Sequence, residues 1–470
     1  MPAHVRGCER LQSLRHPWHR RRGYHHRFQS EAGACNSRIR TSDVHCGGKG
    51  HQIIRRVPKG RIDPRNCRVG LYGRGSGDCT NGVVYRSTVD LNVDSAVAIT
   101  ASHNPPEYNG FKIVHKGLPV AGEDLQRLKA IYESPDQGKA NSPGTILSMS
   151  EYHHTVIDAI VQDVGPLARR VSVAVDSANA VPGPFIMELC DKLGVDLVDL
   201  NCTWDQRSPA HPADPTRPEN MIQLSDLVAN SDCEFGIGVD GDGDRIGVVD
   251  ENGDFIHPDR LIGIFANDIL ADRKKGSSEE ERTILFDVKC SMGIQQAIEA
   301  SGGIPKMVRT GHSFMKRELS ENPGIMFAGE MSGHLFFNDR WNGHDCSLYN
   351  SARLIELVAR RVGLTHGFEN FSDLISIVPS FPATGENKIP YYGDRVVTMM
   401  SIEAAFSDME YLKIDGVRVV YPDGWFLCRP SNTEPVLILR AEAQTESSLA
   451  RLLSDVQSRL AGIIDISELS

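Results

Sequence analysis

The sequence has no Cys-x-x-Cys pair and no apolar run of the roughly 18 residues that a membrane helix requires. Its eleven cysteines are too sparse among 470 residues for a disulfide scaffold. The first residues also lack the apolar stretch of a secretory signal. These absences argue against a disulfide-rich domain and a membrane-spanning protein, and they predict a cytoplasmic protein with reduced thiols.

Aromatic residues are few, at 7%, whereas hydrophobic residues make up 40% and charged residues 24% of the chain. This composition is ordinary for globular proteins and excludes wholesale disorder. At roughly 100–200 residues per domain, a chain of 470 residues has room for three or four domains.

Positive charge is concentrated at the start of the chain. Residues 1–86 contain 18 Lys and Arg against 5 Asp and Glu, a net charge of +13, which leaves −23 for residues 87–470. The apolar residues of this first segment follow neither strand nor helix periodicity. Three interpretations are open: a basic arm for nucleic acid, an organelle transit peptide, or a segment translated out of frame. The acidic remainder of the chain opposes nucleic-acid binding.

From about Ser87 onward, strand-like apolar runs alternate with amphipathic segments, a pattern typical of α/β units. Residues 234–240 and 246–249 predict a hairpin around an acidic loop. Near the end of the chain, three strands within residues 416–440 and a helix with one apolar face predict an α+β domain.

Ser102 follows the apolar segment 96–99 and precedes two prolines, which end regular structure. We therefore expect its hydroxyl to be exposed at a strand end, with His103 and Lys112 close in sequence. A serine hydroxyl can carry a phosphoryl group if a base, a cation and a metal handle the charge. A capped polar turn is the alternative for the Ser-His pair alone.

Three aspartates stand at alternate positions in the loop of residues 240–245. Carboxylates spaced in this way point to one side of an extended segment, and the intervening glycines let Asp240, Asp242 and Asp244 converge. Such a trio needs a cation, and oxygen ligands favour Mg²⁺ or Ca²⁺ over zinc. An EF-hand is disfavoured because Arg245 stands at its glycine position. A dinucleotide site is disfavoured because aspartates repel a pyrophosphate.

Two further loops carry binding groups. In residues 329–334, Glu330 and Ser332 can hydrogen-bond sugar hydroxyls, and His334 can exchange a proton near neutral pH. Residues 429–435 combine a guanidinium, two hydroxyls, an amide and backbone N–H groups, which suit a phosphate monoester. For the second loop, a polar β-turn is the alternative.

Together, four loops closely resemble the signature loops of the α-D-phosphohexomutases. They are TASHNPPEYNGFK at 100–112, DGDGDR at 240–245, GEMSGH at 329–334 and RPSNTEP at 429–435. Their order and spacing also agree, and GEMSGH resembles the bacterial phosphomannomutase/phosphoglucomutase branch. The resemblance covers about residues 87–470.

The resemblance implies three related α/β domains and a C-terminal α+β domain around a central cleft. We expect domain 1 at residues 1–147 with the phosphoserine loop and domain 2 at 148–254 with the metal-binding loop. Domain 3 at 255–367 would carry the sugar-binding loop, and domain 4 at 368–470 the phosphate-binding loop. Because the family's Tyr-Asp-x-Arg-Gly and Gly-Arg-Asp-x-Arg elements are missing, we expect domain 1 to be disrupted over residues 1–86.

The implied activity interconverts hexose 6-phosphate and hexose 1-phosphate, of mannose or glucose, through a phosphoserine and a hexose 1,6-bisphosphate intermediate. The bisphosphate is also the expected activator, and one Mg²⁺ per chain is the expected metal. The implied metal ligands are Ser102, Asp240, Asp242 and Asp244. The implied catalytic residues are Ser102, His103, Lys112, Arg245 and His334. The implied substrate-binding residues are Lys289, His312, Glu330, Ser332, Arg429, Ser431, Asn432 and Thr433.

The expected partners are small hexose phosphates, without nucleic acid or a membrane, and the expected state is a monomer or weak dimer. The alternative is a catalytically impaired pseudoenzyme that binds sugar phosphates. A poorly supported Ser102 loop would explain such impairment, because a displacement of about 1 Å costs on the order of 100-fold in rate. A serine phosphatase is disfavoured, since a mutase must retain its phosphate away from water. Smaller departures from the family pattern are Ala178 and Ala180, where glycines are usual, and Cys346.

Overall fold

The computed structural model describes residues 52–56, 72–91, 93–104, 108, 110–134, 145–205, 209–271, 277–391, 394–431 and 435–466. Most of the segment predicted to be atypical, together with Asn432 and Thr433, lies outside these residues. The chain divides into two compact units. The first contains the described residues up to His257 and Gly333–Leu374, and the second contains those of Pro258–Ser332 and Ile375–Ser470. Within the described residues, no helix is both long enough and apolar enough to cross a membrane.

The first sheet of the first unit has six strands. Their spatial order is Leu118–Pro119, Phe111–His115, Ser95–Ile99, Gln52–Arg56, Tyr72–Gly77 and Thr145–Ser148. The strand Ser95–Ile99 pairs antiparallel with both neighbours, and its residues Ala96 to Ile99 are buried. The loop that carries Ser102 therefore leaves the middle of a sheet, and the first strands of that sheet come from the segment predicted to be atypical.

The second sheet of this unit has five strands. Their order is Phe255–Ile256, Ile246–Asp250, Phe235–Val239, Ser172–Asp176 and Asp196–Leu200. The predicted hairpin is confirmed, since Val239 pairs with Ile246 and residues 240–245 form the connecting loop. Every residue of both hairpin strands is buried, which fixes the base of the acidic loop.

Helices and one further strand complete the first unit. The helices are Asn81–Asp90, Glu123–Glu133, Tyr152–Val164, Pro182–Leu193, Pro218–Ala229 and Ser347–Arg361, and the strand is Leu335–Phe337. Proline begins two of these helices, where its missing N–H group costs no hydrogen bond. The helix Pro182–Leu193 ends at Gly194, whose φ of +71° is the left-handed conformation common at helix ends.

The second unit contains three parallel strands followed by an antiparallel sheet. Thr283–Asp287 pairs parallel with Ile304–Val308 on one side and Phe327–Gly329 on the other. The antiparallel sheet has the order Asn387–Pro390, Val436–Ala443, Gly424–Pro430, Val417–Tyr421 and Tyr411–Leu412. The helices are Pro258–Ala271, Glu279–Arg282, Met292–Ala300, His312–Glu321, Arg395–Ala405 and Glu446–Leu460. A short helix, Phe371–Ile375, crosses the boundary between the units.

The last helix confirms the predicted apolar face. Leu449, Leu452, Val456 and Leu460 recur at helical spacing, and all four are buried in the core of the antiparallel sheet. The prediction of α/β blocks followed by an α+β domain is therefore confirmed for the described residues.

Ala178 has a left-handed backbone, with φ at +50°. Its N–H group donates to Asp176 Oδ1 at 2.8 Å, so the turn after the strand Ser172–Asp176 holds it in this conformation. A residue with a Cβ atom pays about 1–2 kcal/mol for this φ, whereas glycine does not. The family's usual glycine at this position thus has a conformational reason.

We expect Ala178→Gly to raise the apparent melting temperature by about 1–3 °C, because relief of backbone strain exceeds the entropy that glycine loses. Ala180→Gly is the matched control, since Ala180 is not among the residues with positive φ. The control should lower stability by roughly 0.5–1 kcal/mol. Thermal unfolding of both variants measures the difference, and a lower melting temperature for Ala178→Gly would contradict the strain argument.

His211 forms an ion pair with the same turn. Its Nε2 lies 2.9 Å from Asp176 Oδ2 and its Nδ1 lies 3.0 Å from the carbonyl oxygen of Pro212. Only the protonated ring donates from both nitrogens. The hydrogen bond to Asp176 accordingly raises the pKa of His211 above its ordinary value.

A raised pKa means that the protonated His211 stabilises the fold fully below the unfolded value of about 6.5, and that this stability is lost as the pH rises through the folded pKa. His211→Ala should therefore destabilise the protein by about 1–2 kcal/mol at pH 6 and by less at pH 9. Denaturant unfolding of the wild type and the variant at both pH values tests this. An equal loss at both would show that the pair carries no proton linkage.

Candidate active site

The acidic loop of the first unit brings three carboxylates together. One ligand oxygen from each of Asp240, Asp242 and Asp244 lies within 4.8 Å of the others, and all three residues are buried. Asp240 Oδ1 fixes the shape of the loop, because it accepts the N–H groups of Asp244 at 2.9 Å and Arg245 at 3.1 Å. The predicted convergence of the trio is therefore present in the structure.

Ser102 faces this trio from the neighbouring sheet. Its Oγ donates to Asp240 Oδ2 at 3.3 Å and lies 3.2 Å from Nδ1 of His103. Thr100 fixes the loop, because its Oγ1 accepts the N–H group of Ser102 at 2.8 Å and donates to Asp242 Oδ2 at 2.9 Å. Ser102 has a φ of +53°, so its hydroxyl is presented by a left-handed residue.

Gly241 permits the close approach of these two loops. A Cβ atom on Gly241 would lie 2.4 Å from the carbonyl oxygen of Ser102, which is shorter than real contacts allow. Gly243 has a φ of +74°, and a Cβ atom there would lie 2.8 Å from Cβ of Thr80. The two glycines of the Asp-Gly-Asp-Gly-Asp pattern are thus required by contact as well as by curvature.

Lys112 supplies positive charge to the trio. It stands on the strand Phe111–His115, opposite Ala98, and its Nζ lies 2.8 Å from Asp242 Oδ2 and 2.5 Å from Asp244 Oδ2. Burial alone would lower the pKa of Lys112, but the three aspartates together raise it above its ordinary value. Lys112 therefore remains an ammonium group at neutral pH.

Arg245 and His334 surround the same carboxylates. Nε of Arg245 lies 3.8 Å from Asp240 Oδ2, and Nε2 of His334 lies 3.3 Å from Asp244 Oδ1. Burial would raise the pKa of Asp244, but Lys112 and His334 hold it well below its ordinary value. Burial and the charges of its two neighbours raise the pKa of Asp240 well above its ordinary value.

His103 is neutral beside the serine. The charge of Arg245, followed by burial, lowers the pKa of His103 to about 4. At neutral pH the ring therefore has one unprotonated nitrogen, and its Nδ1 lies within hydrogen-bond distance of Ser102 Oγ.

Asn81 belongs to this site and was not predicted. Its Nδ2 donates to Asp242 Oδ2 and to Asp244 Oδ2, both at 2.9 Å, and its backbone N–H donates to the carbonyl oxygen of Asp242 at 2.8 Å. Asn81 is the first residue of the helix Asn81–Asp90, so the positive end of a helix dipole meets the acidic loop. The sequence feature that could have identified Asn81 is Thr-Asn-Gly followed by two valines, a pattern typical of a helix start. It lies inside the segment predicted to be atypical.

These residues fit a divalent cation. The three carboxylates supply hard oxygen ligands, and Asp242 Oδ1 is buried without a hydrogen-bond partner among the described residues. An exposed solvated turn would leave these atoms in water instead.

The second unit holds other predicted residues. Nζ of Lys289 lies 2.7 Å from Glu386 Oε1, and Glu330 Oε1 accepts the N–H group of Gly311 at 2.5 Å. His312 begins the helix His312–Glu321 and lies 3.1 Å from Nζ of Lys316. Ser332 is half-buried in the loop that follows the strand Phe327–Gly329.

The predicted phosphate-binding loop is described in part. Arg429 and Ser431 are buried at the end of the strand Gly424–Pro430, and the N–H group of Ser431 donates to the carbonyl oxygen of Val436 at 2.9 Å. The predicted pair Asn432 and Thr433 lies outside the described residues.

A serine hydroxyl beside three carboxylates, with lysine, arginine and histidine around them, is the set of groups that phosphoryl transfer needs. Four domain profiles of "phosphoglucomutase/phosphomannomutase" match the chain in order. They are alpha/beta/alpha domain I at residues 71–139, alpha/beta/alpha domain II at 151–253, alpha/beta/alpha domain III at 257–378 and the C-terminal domain at 393–458.

Individual relatives agree with these profiles. A phosphoglucomutase of Neisseria gonorrhoeae is 35% identical over 424 residues, which is 88% of this chain and 86% of the relative. A phosphomannomutase/phosphoglucomutase of Pseudomonas aeruginosa is 36% identical over 88% of this chain and 85% of its own. A solved phosphoglucomutase/phosphomannomutase family protein of Burkholderia thailandensis has a TM-score of 0.74 at 35% identity, covering 83% of this chain and 82% of its own. The chain therefore belongs to the phosphoglucomutase/phosphomannomutase family.

The domain I profile overlaps the segment predicted to be atypical. It begins at residue 71, inside the segment 1–86 that the sequence predicts to be atypical. The overlapping residues include the start of the helix Asn81–Asp90, where Asn81 contacts the acidic loop.

We expect Gly241→Ala to lower turnover by about 100-fold or more, because its Cβ would push Ser102 from the trio by about 1 Å. Gly253→Ala is the control: Gly253 lies in the next hairpin turn, and its Cβ would meet the carbonyl oxygen of Ser225 at 2.5 Å, a contact as close as the one at Gly241. The control should lower the stability of the fold but leave the turnover of each folded molecule unchanged. Activity per folded molecule, measured beside circular dichroism, separates the two effects. Wild-type turnover in Gly241→Ala would contradict the need for close loop approach.

Proposed function

We propose that the protein interconverts hexose 6-phosphate and hexose 1-phosphate, with glucose or mannose as the sugar, through a phosphorylated Ser102. The observation that carries this proposal is the 3.3 Å contact between Ser102 Oγ and Asp240 Oδ2 within the buried carboxylate trio. A phosphoryl group on this hydroxyl would adjoin the trio directly. The names of the relatives, phosphoglucomutase and phosphomannomutase/phosphoglucomutase, support the same reaction.

One Mg²⁺ is the proposed metal, and phosphorylated Ser102 with Asp240, Asp242 and Asp244 would hold it. When bound, the ion supplies charge neutralisation for the phosphoryl group. The hard oxygen donors and the unpartnered Oδ1 of Asp242 support this choice.

The other residues of the first unit either stabilise charge or take part in proton transfer. His103 is neutral and is the proposed partner of the Ser102 hydroxyl, since its Nδ1 lies 3.2 Å from Ser102 Oγ. Arg245 stabilises the negative charge that develops during transfer. Lys112 stays positively charged, so it acts as an electrostatic stabiliser or acid, and His334 is the group that exchanges a proton with the sugar hydroxyl.

The residues of the second unit hold the substrate. Lys289, His312, Glu330 and Ser332 bind the sugar and its reacting end, and the loop with Arg429, Ser431, Asn432 and Thr433 binds the phosphate that does not react. Hexose 1,6-bisphosphate serves as intermediate and activator, because it returns a phosphoryl group to Ser102.

We further propose that the protein works in the cytoplasm as a monomer or weak dimer. The seven cysteines in the described part of the chain are buried and none forms a disulfide bond, as in a reducing compartment. No observation favours the alternative of a sugar-phosphate-binding pseudoenzyme, since the serine, the trio and the basic residues are all within reach of one another in the first unit.

The test is a coupled assay with glucose 1-phosphate or mannose 1-phosphate, Mg²⁺ and a trace of the matching bisphosphate. Ser102→Ala should lose turnover by on the order of 10³-fold or more, because no other group replaces the nucleophile. Ser150→Ala, at an exposed serine of the first unit, is the control and should keep wild-type rates. Chelation should stop the wild type, and added Mg²⁺ should restore it.

Three outcomes would reject the proposal. Release of inorganic phosphate without isomerisation would indicate a phosphatase. Binding without conversion by the wild type would indicate a pseudoenzyme. Equal turnover in Ser102→Ala and the wild type would show that Ser102 carries no phosphoryl group, which intact mass spectrometry checks independently.

A further inference from the structure

One buried carboxylate of the second unit, Asp415, contacts two predicted substrate-binding segments. It lies in the turn before the strand Val417–Tyr421, and its side chain is 8% exposed. Its Oδ2 accepts a hydrogen bond from Nε of Arg429 at 2.8 Å and another from the backbone N–H of Thr310 at 3.2 Å. Neither the sequence patterns nor the resemblance to the mutases assigns Asp415 a role.

Gly416 makes the first of these contacts possible. It has a φ of +88°, and a Cβ atom there would lie 2.3 Å from the carbonyl oxygen of Cys428 and 2.7 Å from Cα of Arg429. Only a residue without a side chain lets the turn lie against the backbone of Arg429. The Asp-Gly pair therefore places its carboxylate at the Nε edge of the guanidinium.

A second nitrogen of that guanidinium, Nη2, is free to bind a ligand. Arg429 is 3% exposed, and its Nη2 is buried without a hydrogen-bond partner among the described residues. A buried N–H donor of this kind needs an acceptor, and the planar guanidinium suits two oxygens of one phosphate group. Asp415 thus holds the Nε–H group of Arg429 and leaves Nη2 to donate to an anion.

The second contact ties the same carboxylate to the loop before His312. While Asp415 accepts the N–H of Thr310, Glu330 accepts the N–H of Gly311 at 2.5 Å. Oγ1 of Thr310 donates to Asp287 Oδ2 at 3.1 Å. Three carboxylates therefore hold this short loop, and only Asp415 also holds Arg429.

We propose that Asp415 is a positioning residue that orients Arg429 toward the non-reacting phosphate of a hexose phosphate and sets the distance between Arg429 and the loop that precedes His312. The inference rests on the proposed function, since it takes the phosphate to be that of the mutase substrate. Removal of Asp415 frees the guanidinium to rotate, so the main loss is in substrate binding.

The experiment compares KM and kcat for glucose 1-phosphate in the wild type, Asp415→Ala and Asp415→Asn. We expect Asp415→Ala to raise KM by about 10- to 100-fold with a smaller change in kcat, as the loss of a charge-assisted contact predicts. Asp415→Asn should be intermediate, because its amide oxygen still accepts from Nε of Arg429. Asp423→Asn is the matched control: Asp423 lies in a turn of the same sheet, pairs with Arg451 and should keep the wild-type KM.

A double-mutant cycle separates positioning from general structural support. In an Arg429→Ala background, Asp415→Ala should raise KM less than about 2-fold further, since there is no guanidinium left to orient. Additive effects of the two substitutions, or an unchanged KM in Asp415→Ala, would overturn the inference. If Asp415→Ala does not fold, by circular dichroism, then the KM of Asp415→Asn decides, and a wild-type value overturns it.

Failure of the proposed function gives a different result. If the wild type does not isomerise hexose phosphates, calorimetric binding of glucose 6-phosphate to the wild type and to Asp415→Asn still tests the positioning role. Weaker binding by the variant supports the inference without turnover, and equal binding, or no binding to the wild type, overturns it.

Discussion

The repulsion among three buried carboxylates is the constraint on which the first unit depends. Asp240, Asp242 and Asp244 offer oxygens within 4.8 Å of one another, and burial removes the water that would screen them. The fold compensates with an ammonium group, a guanidinium, an imidazole and the N-terminus of a helix. The surroundings also affect two members of the trio in opposite directions, since the pKa of Asp240 is raised while that of Asp244 is lowered. The cluster is thus the candidate cation site and also the reason for the surrounding basic residues.

Glycines and strand ends bring these charges together. The serine loop and the acidic loop each leave the end of a buried strand, which fixes their origins. They then touch backbone to backbone, because Gly241 carries no side chain between them. The second unit uses the same device, with Gly416 lying against Arg429. Close backbone approach at a glycine therefore occurs beside the candidate site residues of both units.

The sequence predicted the residues of the acidic loop better than the distant residues that hold them in place. Alternate aspartates between two apolar runs indicated a hairpin and a converging trio, because both follow from local periodicity and repulsion. Asn81 could not be predicted as a partner of Asp242, since the two are 161 positions apart and only the tertiary fold joins them. Asp415 was missed for the same reason, because an Asp-Gly turn has no local feature that points to Arg429. The strands Gln52–Arg56 and Tyr72–Gly77 were missed because their residues lack the usual alternation.

The chain order of the acidic site has a consequence for synthesis on the ribosome. Asn81, Ser102 and Lys112 are all translated before the aspartates that they contact. The helix start and the ammonium group are therefore already available when the negative loop leaves the exit tunnel, and domains that fold in order from the N-terminus can neutralise it at once. His334 arrives roughly ninety residues later. The nascent protein thus carries a compensated acidic loop well before its last basic neighbour has been made.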